Sequence, residues 1–435
     1  MALEPRVGWI GIDARTVARI RKALEQREEG IVDELGVGAL HLGYADRFFP
    51  GTSVLHTRAR YALFVPWVFL TLAKRRVGRD RLAERKRLLE RELTGALKTA
   101  MANATQSDTR GIIGVRVFPR APAQPPDFAW WTALGVWGLY DGPSRGSLAA
   151  RWDPERVVRA ADEDTSAGDD VTDEPLARFN VPPVPGAWPE DVQKQGFDLT
   201  PTEAEWLRAR WEQLPDASLL ASVAALLRRG GRPQREGPLW RDGLVVEAAR
   251  EADADARPKP FGFVRAIRNA EHASAAAELV RATYGAWVEE ACIADAGGRI
   301  GDRLTQLDYA QKLDSYWAGK GAVRDAALAL DLAALQRDLP ELTSTRGNLP
   351  VLLDATLATW RRAKRGGDVL RDRALREVFE KAEWRRKGLR ARLPKVEGRQ
   401  RRAEFTATVV GVNGLDYRWS VTRRLVDDVA QGLRR

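Results

Sequence analysis

Cysteine and histidine are scarce: the 435-residue chain holds one Cys and three His. A single cysteine, Cys292, excludes an intramolecular disulfide and a cysteine-built zinc site, and it fits a reducing compartment. It follows Glu289-Glu290-Ala291, and acidic neighbours raise a thiol's pKa, which argues against a thiolate nucleophile. His41, His56 and His272 stand far apart, with no pair at metal-ligand spacing, and are read as structural. Long apolar runs are lacking too. The longest, residues 61–72, contains Pro66 and falls short of the ~20 residues that span a bilayer. No basic-then-apolar leader precedes a small-residue cleavage site, so no secretory signal is expected. These absences point to a soluble, cytoplasmic protein.

Catalytic patterns are missing as well. Gly319-Lys320-Gly321 has Asp314 where a phosphate loop needs its first glycine, and it lacks the hydroxyl residue. Gly36-Val37-Gly38 starts like a dinucleotide fingerprint, but His41 stands at the third glycine position. No strand pair carries the acids and Glu-x-Lys with which a metal-dependent nuclease holds its cation. Gly414-Leu415-Asp416-Tyr417-Arg418-Trp419 gathers an acid, a base and a phenol; it suits a buried salt bridge under an aromatic lid as well as a catalytic set. No catalytic residue, metal or cofactor is assigned.

What is present is a chain able to fold. Hydrophobic residues make up 44%, enough for real cores, and a prior of about 150 residues per domain suggests about two to four domains. The expected class is mainly α and multi-domain with minor β, the short strands lying near the N-terminus and at 405–412. Asp13 reads as a helix cap, with Val17, Ile20 and Leu24 at helical spacing behind it. Residues 53–76 read as a buried helix bent near Pro66, and Leu82, Leu89, Leu93 and Leu97 mark the next helix. Trp130, Trp131 and Trp137 are too bulky to leave outside and are placed in the core. Residues 153–174 hold nine acids against two bases, followed by Pro182, Pro183, Pro185 and Pro189. That composition reads as a linker or surface excursion over 151–196. It separates a Trp-rich helical domain, 1–150, from a C-terminal helical domain, 197–435. Thr200-Pro201-Thr202-Glu203 has the form of a capping box. Helices are read near 200–213, 216–229, 264–293, 303–318, 322–337, 348–365, 368–390 and 421–433.

Charge gives the functional lead. The chain carries +10 overall. Residues 361–402 hold 17 Lys and Arg against six acids, +11, so the remainder sums to −1. Such a stretch attracts a polyanion, gaining free energy from counterion release. Arginine dominates it, and the planar guanidinium suits phosphate. The candidate phosphate-gripping residues are Arg376, Arg385, Arg386, Lys387, Arg390, Arg392, Arg401 and Arg402. Trp384 sits among them, either stacking on a base or packed inward on a solvated helix. Arg58 and Arg60 in Thr57-Arg58-Ala59-Arg60-Tyr61 form a second candidate: one orders a carboxylate near Asp46 while the other meets a partner, or both are structural beside Trp67.

Several motifs occur together in a specific order. They are Gly8-Trp9-Ile10, Asp33-Glu34-Leu35-Gly36, Phe49-Pro50-Gly51-Thr52-Ser53, Thr57-Arg58-Ala59-Arg60-Tyr61 and Phe64-Val65-Pro66-Trp67. Gly111-Ile112-Ile113-Gly114, the stretch 131–138, Leu199-Thr200-Pro201-Thr202-Glu203-Ala204-Glu205, Lys387-Gly388-Leu389-Arg390-Ala391-Arg392-Leu393 and Leu415-Asp416-Tyr417-Arg418-Trp419 follow. In these the chain resembles a family of uncharacterised prokaryotic proteins, with the likeness densest over 8–140. It departs from that family's pattern around 114–128. The resemblance implies a component of antiviral defence islands, encoded near helicases, nucleases and DNA methyltransferases. Together these readings give the expected function: a non-enzymatic DNA-binding accessory subunit of an anti-phage complex. Its expected partners are nucleic acid, DNA rather than RNA, and a helicase, nuclease or methyltransferase. The alternatives are a protein-binding scaffold of the same kind of complex and a nuclease with an unrecognised site.

Overall fold

A computed structural model describes residues 35–102, 111–163, 175–215, 218–254, 262–296, 309–344, 348–403 and 413–435. Among these the fold is mainly helical with one small sheet. Strand β1 (Tyr140–Asp141) pairs antiparallel with β3 (Ala177–Phe179), which pairs parallel with β2 (Val157–Arg159). The strands expected near the N-terminus and at 405–412 lie outside the described residues.

The chain forms two compact units, one of 41–270 with 416–435 and the other of 1–40 with 271–415. This division does not follow composition. Residues 151–196, expected as a linker or surface excursion, supply β2, β3 and the buried Trp152, Phe179, Val181 and Trp188. Apolar residues on either side of the acidic run enter the core, and most of that run, 164–174, lies outside the described residues.

In the 41–270/416–435 unit, the helix Tyr61–Lys74 is apolar almost throughout and buried from Tyr61 to Ala73, with Pro66 inside it. It starts later than the expected 53–76 because residues 53–60 form turns. Trp67 on this helix and Trp130, Trp137, Trp211 and Trp419 elsewhere in the unit are fully buried. Burial of an indole leaves an N–H to satisfy; Trp67 donates to the Pro182 carbonyl and Trp137 to that of Pro50, both at 2.9 Å. Trp131 is only half-buried. The helix Pro201–Glu212 begins with the complete capping box: Thr200 Oγ1 accepts from the Glu203 N–H, and the Glu203 carboxylate accepts from the Thr200 N–H. Helix Gly243–Ala254 has no counterpart in the sequence reading.

In the 1–40/271–415 unit, the core lies around Trp287, Trp360 and Phe379. Two helices expected as single pieces are broken. Residues 322–337 divide into Gly321–Leu328 and Leu332–Asp338, where Asp331 caps the second segment. Residues 368–390 divide into Gly366–Leu370 and Arg373–Lys387, where Asp372 caps. Each break falls at an aspartate that accepts backbone N–H groups more readily than it continues a helix.

Candidate nucleic-acid interface

Arg58 and Arg60 are held by distant carboxylates. Arg58 grips Asp428 with Nε at 3.0 Å and Nη2 at 2.8 Å, and Asp428 also accepts the Ala59 N–H at 2.8 Å. Burial pushes the Asp428 carboxyl up, opposed by Arg58 and the Ala59 N–H. Arg60 is 2% exposed. Its guanidinium donates to Glu203 at 2.9 Å, to Gln195 Oε1 at 2.5 Å and to the Gly196 carbonyl at 3.0 Å. This second candidate is therefore engaged inside the unit, and Arg60 cannot reach a phosphate.

The Leu415–Trp419 motif is structural in the same way. Tyr417 and Arg418 both take positive φ, 52° and 61°. Tyr417 donates to the Ala270 carbonyl at 2.6 Å. Arg418 reaches Asp46 at 2.7 Å and the Thr52 carbonyl at 2.9 Å, while Trp419 stacks on Phe49. Of the histidines, His56 stacks on Trp130 at 3.9 Å and bonds the Ala129 carbonyl; burial pushes its pKa down to about 3, so it is neutral. Cys292 is half-buried, and burial pushes its thiol up to about 11. Among the described residues no group of three His, Cys, Asp or Glu side chains is placed to hold a metal ion.

The remaining candidates belong to the 271–415 segment and cluster on the helix Arg373–Lys387 and the loop behind it. Gly388, at φ +53°, ends that helix. The loop is then fixed from two sides. Glu383, fully buried, accepts the N–H groups of Arg392 at 2.8 Å and Leu393 at 2.9 Å, and the Tyr284 hydroxyl at 2.6 Å. Burial first, then the Glu383 charge, drive the Tyr284 hydroxyl pKa well up, so it stays a donor. Arg402, 4% exposed, pairs with Asp295 at 2.7 Å and donates to the carbonyls of Pro394 and Lys395, both at 2.8 Å. The turn is tight enough that a Cβ on Gly398 would stand 2.3 Å from the Arg392 carbonyl oxygen. Arg402 is thus the strut of this loop and not a phosphate ligand.

What the strut supports is an exposed surface. Trp384 is 44% exposed and lines an open groove of about 370 Å³ with Glu380, Lys381, Arg385, Pro394 and Glu397. Arg376 is spent on Glu290 and Glu380 at 3.1 and 3.3 Å, and Lys381 lies 3.8 Å from Glu377. Arg386 packs against Gly36, where an added Cβ would meet its Nη1 at 3.2 Å. Lys387, Arg392 and Arg401 are half-buried or engaged within the fold. Arg385 and Arg390 are exposed, with no ion pair among the described residues. Of eleven candidate residues, the structure thus leaves Trp384 and Arg385 together and open, with Arg390 exposed on the loop that follows. Arg376 and Arg386 are exposed or partly so but engaged, and Arg58 and Arg60 lie in the other unit.

Sequence reasoning also missed a cationic region. Residues 74–91 hold nine basic side chains against three acidic ones, +6. The total of −1 outside 361–402 conceals it, because acids elsewhere balance it; a sliding charge count finds it.

The fold and this surface define a mainly helical protein with an open groove lined by Trp384, two cations and two carboxylates. The chain belongs to DUF6361, a family of unknown function whose family model matches residues 5–238. The C-terminal motifs, and the surface around Trp384, lie beyond the matched residues. No curated protein and no solved structure matches the chain. Among the described residues no helix is long and apolar enough to cross a membrane.

Proposed function

We propose that the chain binds nucleic acid, DNA rather than RNA, through the surface around Trp384, as a non-enzymatic accessory subunit of an antiviral defence complex. The observation that carries this reading is an indole face left open beside Arg385, in the stretch that holds +11 of charge. An exposed indole offers a stacking platform to an unpaired base, and adjacent guanidinium groups meet the phosphates on either side of it. The defence role rests on the resemblance of the motifs alone.

A protein-binding scaffold is the second reading, favoured by Leu389 and Val396, which are 77% and 80% exposed near the same loop. Exposed apolar side chains beside an aromatic suit a protein interface.

The test is fluorescence anisotropy of a labelled single strand across a salt series, for the native chain and for Trp384→Ala/Arg385→Ser/Arg390→Ser. The triple variant is expected to bind at least about tenfold more weakly, with a shallower salt dependence. Unchanged affinity overturns the site. Partner co-purification that survives nuclease treatment and is abolished by Leu389→Ser/Val396→Ser supports the scaffold instead. Plasmid incubated with and without Mg²⁺ reads the nuclease alternative.

A further inference from the structure

The helix Arg79–Ala102 buries Leu82, Leu89, Leu93, Ala96 and Leu97 along one side. Its other side is cationic. Arg81, Arg85, Arg87 and Arg91 are exposed there, and Lys74 and Arg75 are exposed at the end of the preceding helix. Arg81 and Arg85 stand one turn apart, as do Arg87 and Arg91, each pair separated by about 6 Å along the axis. The acids of this region offset little of it. Glu90 is turned inward, where it meets Lys86 at 3.4 Å, and Asp80 lies 3.8 Å from Arg81. Glu84 and Glu92 share the exposed side. Lys74, Arg75, Arg85, Arg87 and Arg91 have no ion pair among the described residues.

We propose that this surface binds the phosphate backbone of a nucleic-acid duplex without reading its sequence. Three unpaired arginines of this helix and two cations at the end of the preceding one repel one another, and an ordered polyanion relieves that repulsion while releasing its counterions. Arginine outnumbers lysine here, and its fork matches phosphate oxygens. The chemistry of the partner follows from what the surface lacks. No large apolar side chain is exposed between 74 and 92, so it has no apolar centre of the kind protein interfaces use. It presents no aromatic ring, so it has nothing on which to stack an unpaired base. A polar, strongly positive face without such features fits backbone contact with a duplex. The surface lies in the part of the chain matched by the family and stands on observations separate from those around Trp384.

The experiment measures anisotropy of a labelled duplex and a labelled single strand across a salt series. It compares the full-length chain with Arg75→Ser/Arg85→Ser/Arg87→Ser/Arg91→Ser, the same four positions changed to Lys, and Trp384→Ala. The Ser variant is expected to bind duplex at least about tenfold more weakly, its logarithmic salt slope shallower by about 0.9 for each phosphate that is no longer neutralised. The Lys variant keeps the slope. Matching thermal melts for the native and Ser proteins show that folding is intact. An unchanged duplex slope in a folded Ser variant overturns the proposal and leaves these cations to an acidic protein partner. Weakened single-strand binding in Trp384→Ala alone reports on the other surface and not on this one.

Discussion

Arginines at 58 and 60 and arginines at 385 and 390 look interchangeable in the sequence: each pair sits in a short cationic motif beside an aromatic residue. The structure gives them opposite fates. Arg58 and Arg60 are tied to Asp428 and Glu203, which lie 370 and 143 residues away. Arg385 and Arg390 are exposed, with no ion pair among the described residues. A guanidinium indicates a ligand only where the fold has brought no carboxylate to it. That is decided by residues far along the chain and not by local charge.

The sharpest way to test this contrast is stability. Arg60→Ala leaves Glu203 buried without its counter-charge, which costs about 3–5 kcal/mol. Arg385→Ser is expected to fall within about 0.5 kcal/mol of the native protein, because an exposed side chain with no partner contributes little. Urea denaturation of both variants checks the pair, and equal destabilisation would break the comparison.

Carboxylates divide in the same manner, and the next effect is a pH dependence. Burial pushes Glu90 up to about 7, against the pull of Lys86. Asp368, half-buried, is held below its usual range by the Lys364 N–H and Arg371. With its folded pKa above the unfolded one, Glu90 takes up a proton more readily in the native state. Stability therefore falls as pH rises from about 4.5 to about 7 and levels off above that. The span corresponds to about 3 kcal/mol. Glu90→Gln is expected to remove this slope and raise the melting temperature at alkaline pH. A native-like slope in the variant would assign the pH dependence elsewhere.

The legible and illegible parts of the molecule follow the range of the interactions involved. The capping box at Thr200 is readable because every group in it lies within four residues, and the mainly helical class because apolar spacing is a local signal. The grouping of 416–435 with 41–270 is not readable, since it depends on Asp428 and Arg418 meeting residues some 370 positions earlier. The role of 151–196 is obscured by averaging: the acidic residues set its composition, while Trp152, Phe179 and Trp188 set its burial. Trp384 stands out in the sequence, but whether it faces inward or outward does not, because that depends on how Arg402 and Glu383 hold the loop behind it.

Tryptophans supply the third test. Trp384→Ala is expected to cost about 1–3 kcal/mol in single-strand affinity with little change in melting temperature. Trp287→Ala, in the core of the same unit, should do the reverse and destabilise by about 3–5 kcal/mol. If Trp384→Ala destabilises comparably, its ring is packing material and has no stacking role.

The smallest expected effect is the most diagnostic of charge alone. Arg390 is exposed at the end of the helical turn Gly388–Arg390, on the loop fixed by Glu383 and Arg402. Arg390→Ser should leave the fold intact and make the logarithmic salt slope for a single strand shallower by about 0.7, the value of one neutralised phosphate. Arg390→Lys should restore the slope, since a point charge releases the same counterion, while recovering less of the affinity if the planar fork also grips the phosphate. A slope that moves with neither substitution would place Arg390 with Arg58 and Arg60 after all, as an arginine whose sequence setting suggests a ligand that the folded protein does not bind.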